Sequence, residues 1–240
     1  MNFKNKRSAL ILAALVFTGC SDPAANTVLK RLHLASAHTY YVSAEQFKTA
    51  AFANPPAPDS ETQKADLAAI LDWQARRTKA DCKKAKKTAK AGYVFFWGEK
   101  DPFPSPLPPE AKTFFNNLSS DLEDSVANMK ERYRRPRPFK AYPDQAEPCI
   151  NKSWGYSYPS GHSSFSRVFA DVLSDIVPER RSEFIAKADE IALDRVIGGV
   201  HFPTDIAAGK VFGDNFHAEL LKSPDYLKDV EKVKSLLVKP

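Results

Sequence analysis

From Ser163 to Leu221 apolar residues return every three or four positions, and no segment of the chain alternates cleanly as a half-buried strand would. That pattern predicts an all-α fold, a compact helical bundle. Ser163 to Ile176 reads as a helix with Phe165, Val168, Phe169, Val172 and Leu173 inward. Pro178, suited to a first helical turn, opens a second, which carries Phe184, Ile185, Ala188, Ile191 and Val196 to a stop at Gly198-Gly199. Pro203 starts a third toward Leu221, and Tyr226 to Leu237 is an amphipathic closing piece. Upstream, Ser60-x-x-Gln63 reads as a capping box opening one helix that runs to Lys90, with Gly92 as its stop and Lys79 to Lys90 as a solvated basic face. Tyr93 to Trp97 is either a short strand or a buried helical turn, and the Pro-rich run from Asp101 to Pro109 is loop. A second capping box, Ser120-x-x-Glu123, opens a helix with Leu122, Val126, Met129 and Tyr133 inward, ended by Pro136 and Pro138.

The 240 residues are enough for one well-buried domain and not comfortably enough for two. Lys4, Lys6 and Arg7 followed by the apolar run Ala9 to Phe17 read as an export signal, too short to span a bilayer, which takes about 20 residues. Phe17-Thr18-Gly19-Cys20 resembles a bacterial lipoprotein signal with Cys20 acylated, although Phe17 stands where Leu is usual. Ordinary cleavage near Ala24-Ala25 is the alternative. The expected organisation is a signal peptide over 1–19, a tether over 20–40 and a single domain over 41–240, exported to the periplasm and anchored through Cys20. Loss of the leader's three cations takes the formal charge from +6 to +3, which suits anionic substrates and is no nucleic-acid footprint. Two cysteines remain, Cys82 and Cys149, and an even pair in an exported chain reads as one disulfide.

Three short islands carry the chemistry. Lys130 and Arg137 lie two helical turns apart, a point charge and a planar fork for a phosphate. They sit among six basic residues between Lys130 and Lys140, and such a run more often faces solvent or a polyanion. Pro159-Ser160-Gly161-His162 is a Ser-Gly turn at a helix start, where backbone N–H groups and a hydroxyl converge on an anion and His162 can protonate a departing oxygen; a capped helix with an incidental histidine is the plain alternative. Arg195, His201 and Asp205 complete the set, with Asp205 four residues after His201 and able to hold its Nδ1. A surface His–Asp pair is the plain alternative there. No internal repeat, metal-finger spacing, Gly-rich nucleotide loop or heptad accompanies them.

In order and spacing the islands resemble the K-x6-RP, PSGH and SR-x5-H-x3-D signature of the type 2 phosphatidic acid phosphatase superfamily, which includes vanadium haloperoxidases and bacterial acid phosphatases. Arg137-Pro138-Phe139, Tyr158 and Arg195-Val196-Ile197-x-Gly199 extend the likeness toward the class A bacterial nonspecific acid phosphatases, over roughly Tyr40 to Leu220. The resemblance implies the helical fold of that superfamily, a single acid phosphatase domain, and hydrolysis of small phosphomonoesters through a phosphohistidine. By it His201 is the nucleophile, Asp205 its orienting carboxylate and His162 the acid and later the base. Lys130, Arg137, Ser160, Gly161 and Arg195 hold the phosphate oxygens, no metal or other cofactor is required, and vanadate is expected to inhibit. Asp194 departs from the family's Ser and would set a carboxylate beside Arg195; the Cys82–Cys149 pairing is also not the usual one. The alternatives are a vanadate-dependent haloperoxidase, a lipid-phosphate phosphatase and a non-catalytic phosphate-binding lipoprotein. No nucleic-acid partner is expected.

Overall fold

The computed structural model describes residues 38–89, 92–97 and 101–237; the leader, Cys20 and most of the expected tether lie outside the described residues. Residues 38–240 group as one compact unit. All regular structure among the described residues is helical: α1 (Glu61–Arg76), α2 (Lys79–Thr88), α3 (Val94–Trp97), α4 (Pro109–Tyr133), α5 (Pro138–Ala141), α6 (Gly161–Ile176), α7 (Arg181–Ile197), α8 (Pro203–Leu220) and α9 (Pro224–Lys234), with single 3-10 turns at Ala44–Lys48 and Pro178–Arg180.

Two boundaries differ from the sequence reading, each for a local reason. The single helix expected from Ser60 to Lys90 is broken at Arg77 and Thr78. There Thr78 Oγ1 accepts from the Asp81 N–H while the Asp81 carboxylate accepts from the Thr78 N–H, a full capping box that starts a new helix. Ser120 is no cap at all. It lies inside the 25-residue α4, because Ala111, Phe114, Phe115 and Leu118 continue the buried stripe of Leu122, Val126 and Met129 one way without interruption. The ambiguous Tyr93–Trp97 stretch contains the helical turn α3, with Phe96 and Trp97 in the core. Lys79, Lys83, Lys84, Lys86 and Lys87 of α2 are exposed, as a solvated face requires.

α6 is the axis of the bundle and packs along both α7 and α8. Its Phe169 joins Phe114, Phe115, Phe184, Phe212 and Phe216 in one apolar core. The α6–α8 approach depends on absent side chains. A Cβ at Gly209 would lie 2.7 Å from both the Ser160 carbonyl oxygen and the Ser163 Cβ. That proximity lets the Ser160 N–H donate to the Asp205 carbonyl at 3.0 Å and the Ser163 hydroxyl to the Ile206 carbonyl at 2.7 Å. The second island is thereby fixed against the third.

Two ties hold the outer pieces. The buried Asp121 carboxylate of α4 accepts from the backbone N–H groups of Tyr40, Tyr41 and Val42, pinning the start of the domain. Cys82 and Cys149 form the expected disulfide, 67 residues apart, joining α2 to the loop after α5. Closing a loop of that length removes unfolded-state entropy equivalent to about 4 kcal/mol in the chain-entropy description.

Candidate active site

A cavity of about 320 Å³ opens where α4, α6 and the α7–α8 junction meet. Lys130, Arg137, Gly161, His162 and His201 line it, with Phe165, Ile191 and Ala89 as an apolar wall and Ser153 and Ser166 as further polar contacts. Residues from all three islands, up to 71 positions apart, therefore share one space. Ser160, Arg195 and Asp205 are buried and do not line it.

Each side chain arrives by a definite local route. α4 carries Lys130 in its last turn, Arg134 ends it in the left-handed conformation, and the chain turns so that Arg137 caps α5. The six-residue basic run thus divides. Arg132, Arg134 and Lys140 face solvent, while Arg135 and Arg137 are buried. At the other end of the site, Gly199 ends α7 at φ +76°, a region that L side chains rarely adopt, and the chain reverses into Val200 and His201 before Pro203 opens α8.

The hydrogen bonds of His201 settle its tautomer. Arg137 Nη1 lies 2.9 Å from His201 Nε2, and a guanidinium only donates, so Nε2 accepts and carries the free lone pair. Nδ1 then holds the hydrogen. It lies 3.2 Å from Ser157 Oγ and 3.4 Å from Asp205 Oδ2, so the direct contact to Asp205 is the longer one. His162 is fixed the other way round. Its Nε2 is 3.1 Å from the Ala89 carbonyl, an obligate acceptor, which leaves Nδ1 as the nitrogen that gains and loses a proton.

Among the described residues neither Lys130 nor Arg137 makes an ion pair, and Asp205 acts on both only at a distance. Lys130 Nζ donates to the Tyr156 carbonyl at 2.7 Å; Arg137 donates to the Val200 carbonyl at 2.9 Å and, more weakly, to those of Gly155 and Trp154. Burial, and then the neighbouring Arg137 charge, brings the Lys130 ammonium down to about 7. Burial lowers Arg137 and Arg195 to about 10, which leaves both charged at neutral pH. Burial and the Arg195 charge push His162 down to about 4, and His201 lies well below the usual histidine range for the same kinds of reason, burial first and Arg137 next. Such a pocket disfavours every further positive charge and favours an anion.

Arg195 reaches the site through its field rather than its hydrogen bonds. Its Nη2 donates to the Ala85 carbonyl and, at 2.7 Å, to the Thr88 hydroxyl, while its buried Nε has no partner among the described residues. Asp194 does not seize that guanidinium. Its Oδ2 accepts from the Thr88 hydroxyl at 2.8 Å, so Thr88 stands between the two charges. Ser160 caps α6, its Oγ 3.4 Å from the Ser163 N–H.

Three contributors, Arg135, Ser157 and Thr88, are not among the site residues read from sequence. Arg135 donates to Asp205 Oδ1 at 2.6 Å, Asp66 Oδ2 at 2.7 Å and Gln63 Oε1 at 2.6 Å, so α1 holds the back of the Asp205 carboxylate through Arg135. Ser157 and Thr88 are the bridging hydroxyls just described. No sequence signal marks Arg135 apart from the basic residues on either side of it. Among the described residues no cluster of three or more His, Cys, Asp or Glu could hold a metal ion, and no helix is long and apolar enough to cross a membrane.

Residues 114–226 match the PAP2 superfamily. Over 137 residues the chain is 32% identical to a non-specific acid phosphatase of Providencia stuartii, covering 55% of this chain and 54% of that protein. Over 148 residues it is 32% identical to a lipid A 1-phosphatase of Rhizobium johnstonii, covering 60% of this chain and 54% of that protein. The chain thus spans about half the length of these curated relatives. A bacterial vanadium-dependent iodoperoxidase superposes with a TM-score of 0.57 at 20% identity, over 75% of this chain and 54% of that one, a likeness of fold.

Proposed function

The chain carries a PAP2 superfamily domain homologous to bacterial non-specific acid phosphatases, and from that premise we propose that it is a phosphatase that hydrolyses phosphate monoesters through a phosphohistidine on His201, without a metal ion. The observation that carries this reading is the convergence of the unprotonated His201 Nε2, His162 and uncompensated buried cations on one cavity.

The phosphoryl dianion enters among Lys130, Arg137 and the Gly161 N–H at the start of α6. Arg137 gives the Nε2 lone pair up as its donors turn to phosphate oxygens. Nε2 attacks phosphorus in line, the bond to the leaving oxygen breaks, and that oxygen takes its proton from His162 Nδ1. The His201 ring is left positively charged, with Nδ1 still protonated toward Ser157 and Asp205. Neutral His162 then takes a proton from water, whose oxygen displaces Nε2 and releases inorganic phosphate. Most of the rate comes from the fixed cations, since one preorganised donor is worth about 3 kcal/mol at such a transition state.

The low setting of His162 gives the pH dependence its sign. The free enzyme loses the His162 proton as pH rises above about 4, so kcat/KM falls from acid toward alkaline pH. A bound dianion favours the protonated ring, so the fall in kcat lies at higher pH than the fall in kcat/KM. Full turnover at pH 9 with none at pH 5 would count against the reading.

The test is p-nitrophenyl phosphate hydrolysis by the wild type, by His201→Ala and by the wild type in EDTA, with vanadate as the inhibitor. We expect turnover in the wild type with and without EDTA, inhibition by vanadate and none in His201→Ala. Activity surviving the substitution refutes the nucleophile, and activity abolished by EDTA refutes the metal-free route. Oxidation of halide with added vanadate would transfer the site to the haloperoxidase reading, and tight phosphate binding without turnover to the binding-protein reading.

A lipid phosphate is the second reading. It is favoured by the lipid A 1-phosphatase similarity and by Trp154, whose indole is 92% exposed while its carbonyl accepts from Arg137 Nη2. Release of phosphate from lipid-phosphate micelles at a kcat/KM above that for p-nitrophenyl phosphate would establish it; release only from the soluble ester would exclude it. Export and anchoring through Cys20 are tested by palmitate-analogue labelling, which Cys20→Ser should abolish and which its persistence would rule out.

A further inference from the structure

We propose that Ser157 is the positioning residue that couples His201 to Asp205: the nucleophile's Nδ1–H donates to the Ser157 hydroxyl, and that hydroxyl donates to the carboxylate. This rests on His201 acting as the nucleophile and goes beyond the histidine–aspartate pair that the three islands supply.

The geometry orders the chain of donors. Ser157 Oγ is 2.5 Å from Asp205 Oδ2 and 3.2 Å from His201 Nδ1, whereas Nδ1 and Oδ2 are 3.4 Å apart. A carboxylate only accepts, so the hydroxyl hydrogen points to Asp205 and its lone pair faces the ring. Arg137 at Nε2 requires the hydrogen on Nδ1, so each of the three groups is in the protonation state the relay needs. Asp205 has no freedom to swing toward the ring instead. Its Oδ1 is held by Arg135 at 2.6 Å, and its Oδ2 also accepts from the Phe202 N–H at 2.8 Å.

Ser157 is equally fixed. It is fully buried, and its own N–H donates to the Arg135 carbonyl at 2.8 Å. It directly follows Trp154, Gly155 and Tyr156, whose carbonyls accept from Arg137 and Lys130. One four-residue strap therefore sets both phosphate-binding cations and the nucleophile. When Nε2 forms its bond to phosphorus the ring becomes cationic, and the relay brings the Asp205 charge to bear on Nδ1–H with no proton leaving the ring. The stabilisation is larger in the transition state than in the empty enzyme, so it belongs to kcat.

Three variants separate the hydroxyl from its volume: Ser157→Ala, Ser157→Thr and Ser157→Val, each assayed with p-nitrophenyl phosphate beside His201→Ala. Ser157→Ala is expected to lower kcat roughly 10- to 100-fold, by analogy with the outer hydrogen-bond partner of a metal-bound imidazole, with KM and vanadate inhibition within about threefold. Ser157→Thr recovers most of the rate and the equally bulky Ser157→Val does not. A Ser157→Ala kcat within about twofold of wild type, a loss confined to KM, or Thr as impaired as Val would each overturn the relay. Turnover persisting in His201→Ala would instead defeat the phosphohistidine reading beneath it. Should the variants fail to fold, the wild-type enzyme labelled with 15N-histidine decides. The relay requires His201 protonated at Nδ1 and bare at Nε2, with a through-space contact from Nδ1–H to the Ser157 β-protons. The opposite tautomer, or no such contact, overturns it.

Discussion

Arg135 and Arg137 stand two residues apart, are about equally buried, and live in opposite electrostatic circumstances. Arg135 is met by two carboxylates, Asp66 and Asp205, and by the side-chain oxygens of Gln63 and Thr204. Arg137 is met by carbonyl oxygens and an imidazole nitrogen, none of which carries a charge. Removing a charge from water costs several kcal/mol unless a counter-charge repays it. Arg135 is repaid inside the fold. Arg137 awaits a ligand, and its lowered proton affinity records the debt. The pair separates what a buried cation does for a scaffold from what it does for a site.

Breaking the pair should expose that division. Arg135→Ala leaves Asp66 and Asp205 buried without their cation, and loss of one partner of a buried pair costs about 3–5 kcal/mol. A large drop in Tm and in the urea midpoint is expected; unchanged values would show that the network does not hold the fold. Arg137→Ala removes an uncompensated charge, so stability should stay level or rise while kcat/KM falls roughly 10²- to 10³-fold. A protein as destabilised as the Arg135 variant would erase the contrast. Phosphate or vanadate should raise the Tm of the wild type and raise that of the Arg137 variant much less.

A smaller effect sharpens the same point at Lys130. In the empty site its ammonium loses a proton as pH rises through about 7, so an anion arriving above that pH meets one cation fewer. Vanadate inhibition should therefore weaken with rising pH, by up to about tenfold per unit above neutrality. Lys130→Arg, which stays protonated, should flatten the curve. A flat curve in the wild type would contradict the setting of Lys130.

The sequence made the cavity-lining groups legible and hid what holds them. His162, His201, Lys130 and Arg137 could be found because phosphoryl chemistry demands those side chains, and turns at helix ends keep them in short fixed spacings. The bundle could be read because apolar stripes persist over whole helices. Ser157 and Arg135 could not, because their roles exist only through partners 44 and 70 residues away. The break at Thr78 is written in Thr78-x-x-Asp81, a signal masked by the helical period on both sides of it. Ser120 shows the converse, a cap signal overruled by a continuous buried stripe. The relation of Asp194 to Arg195 is likewise hidden in the sequence, since Thr88, which lies between them, is remote along the chain.

The central claim is that these unpaid cations serve the transfer of a phosphoryl group to His201. Rapid acid-free quenching of turnover with a 32P-labelled aryl phosphate, followed by peptide mapping, tests it most directly. The account requires acid-labile, base-stable label on the peptide containing His201 in the wild type and none in His201→Ala; turnover with no such label, or label on another residue, would contradict it.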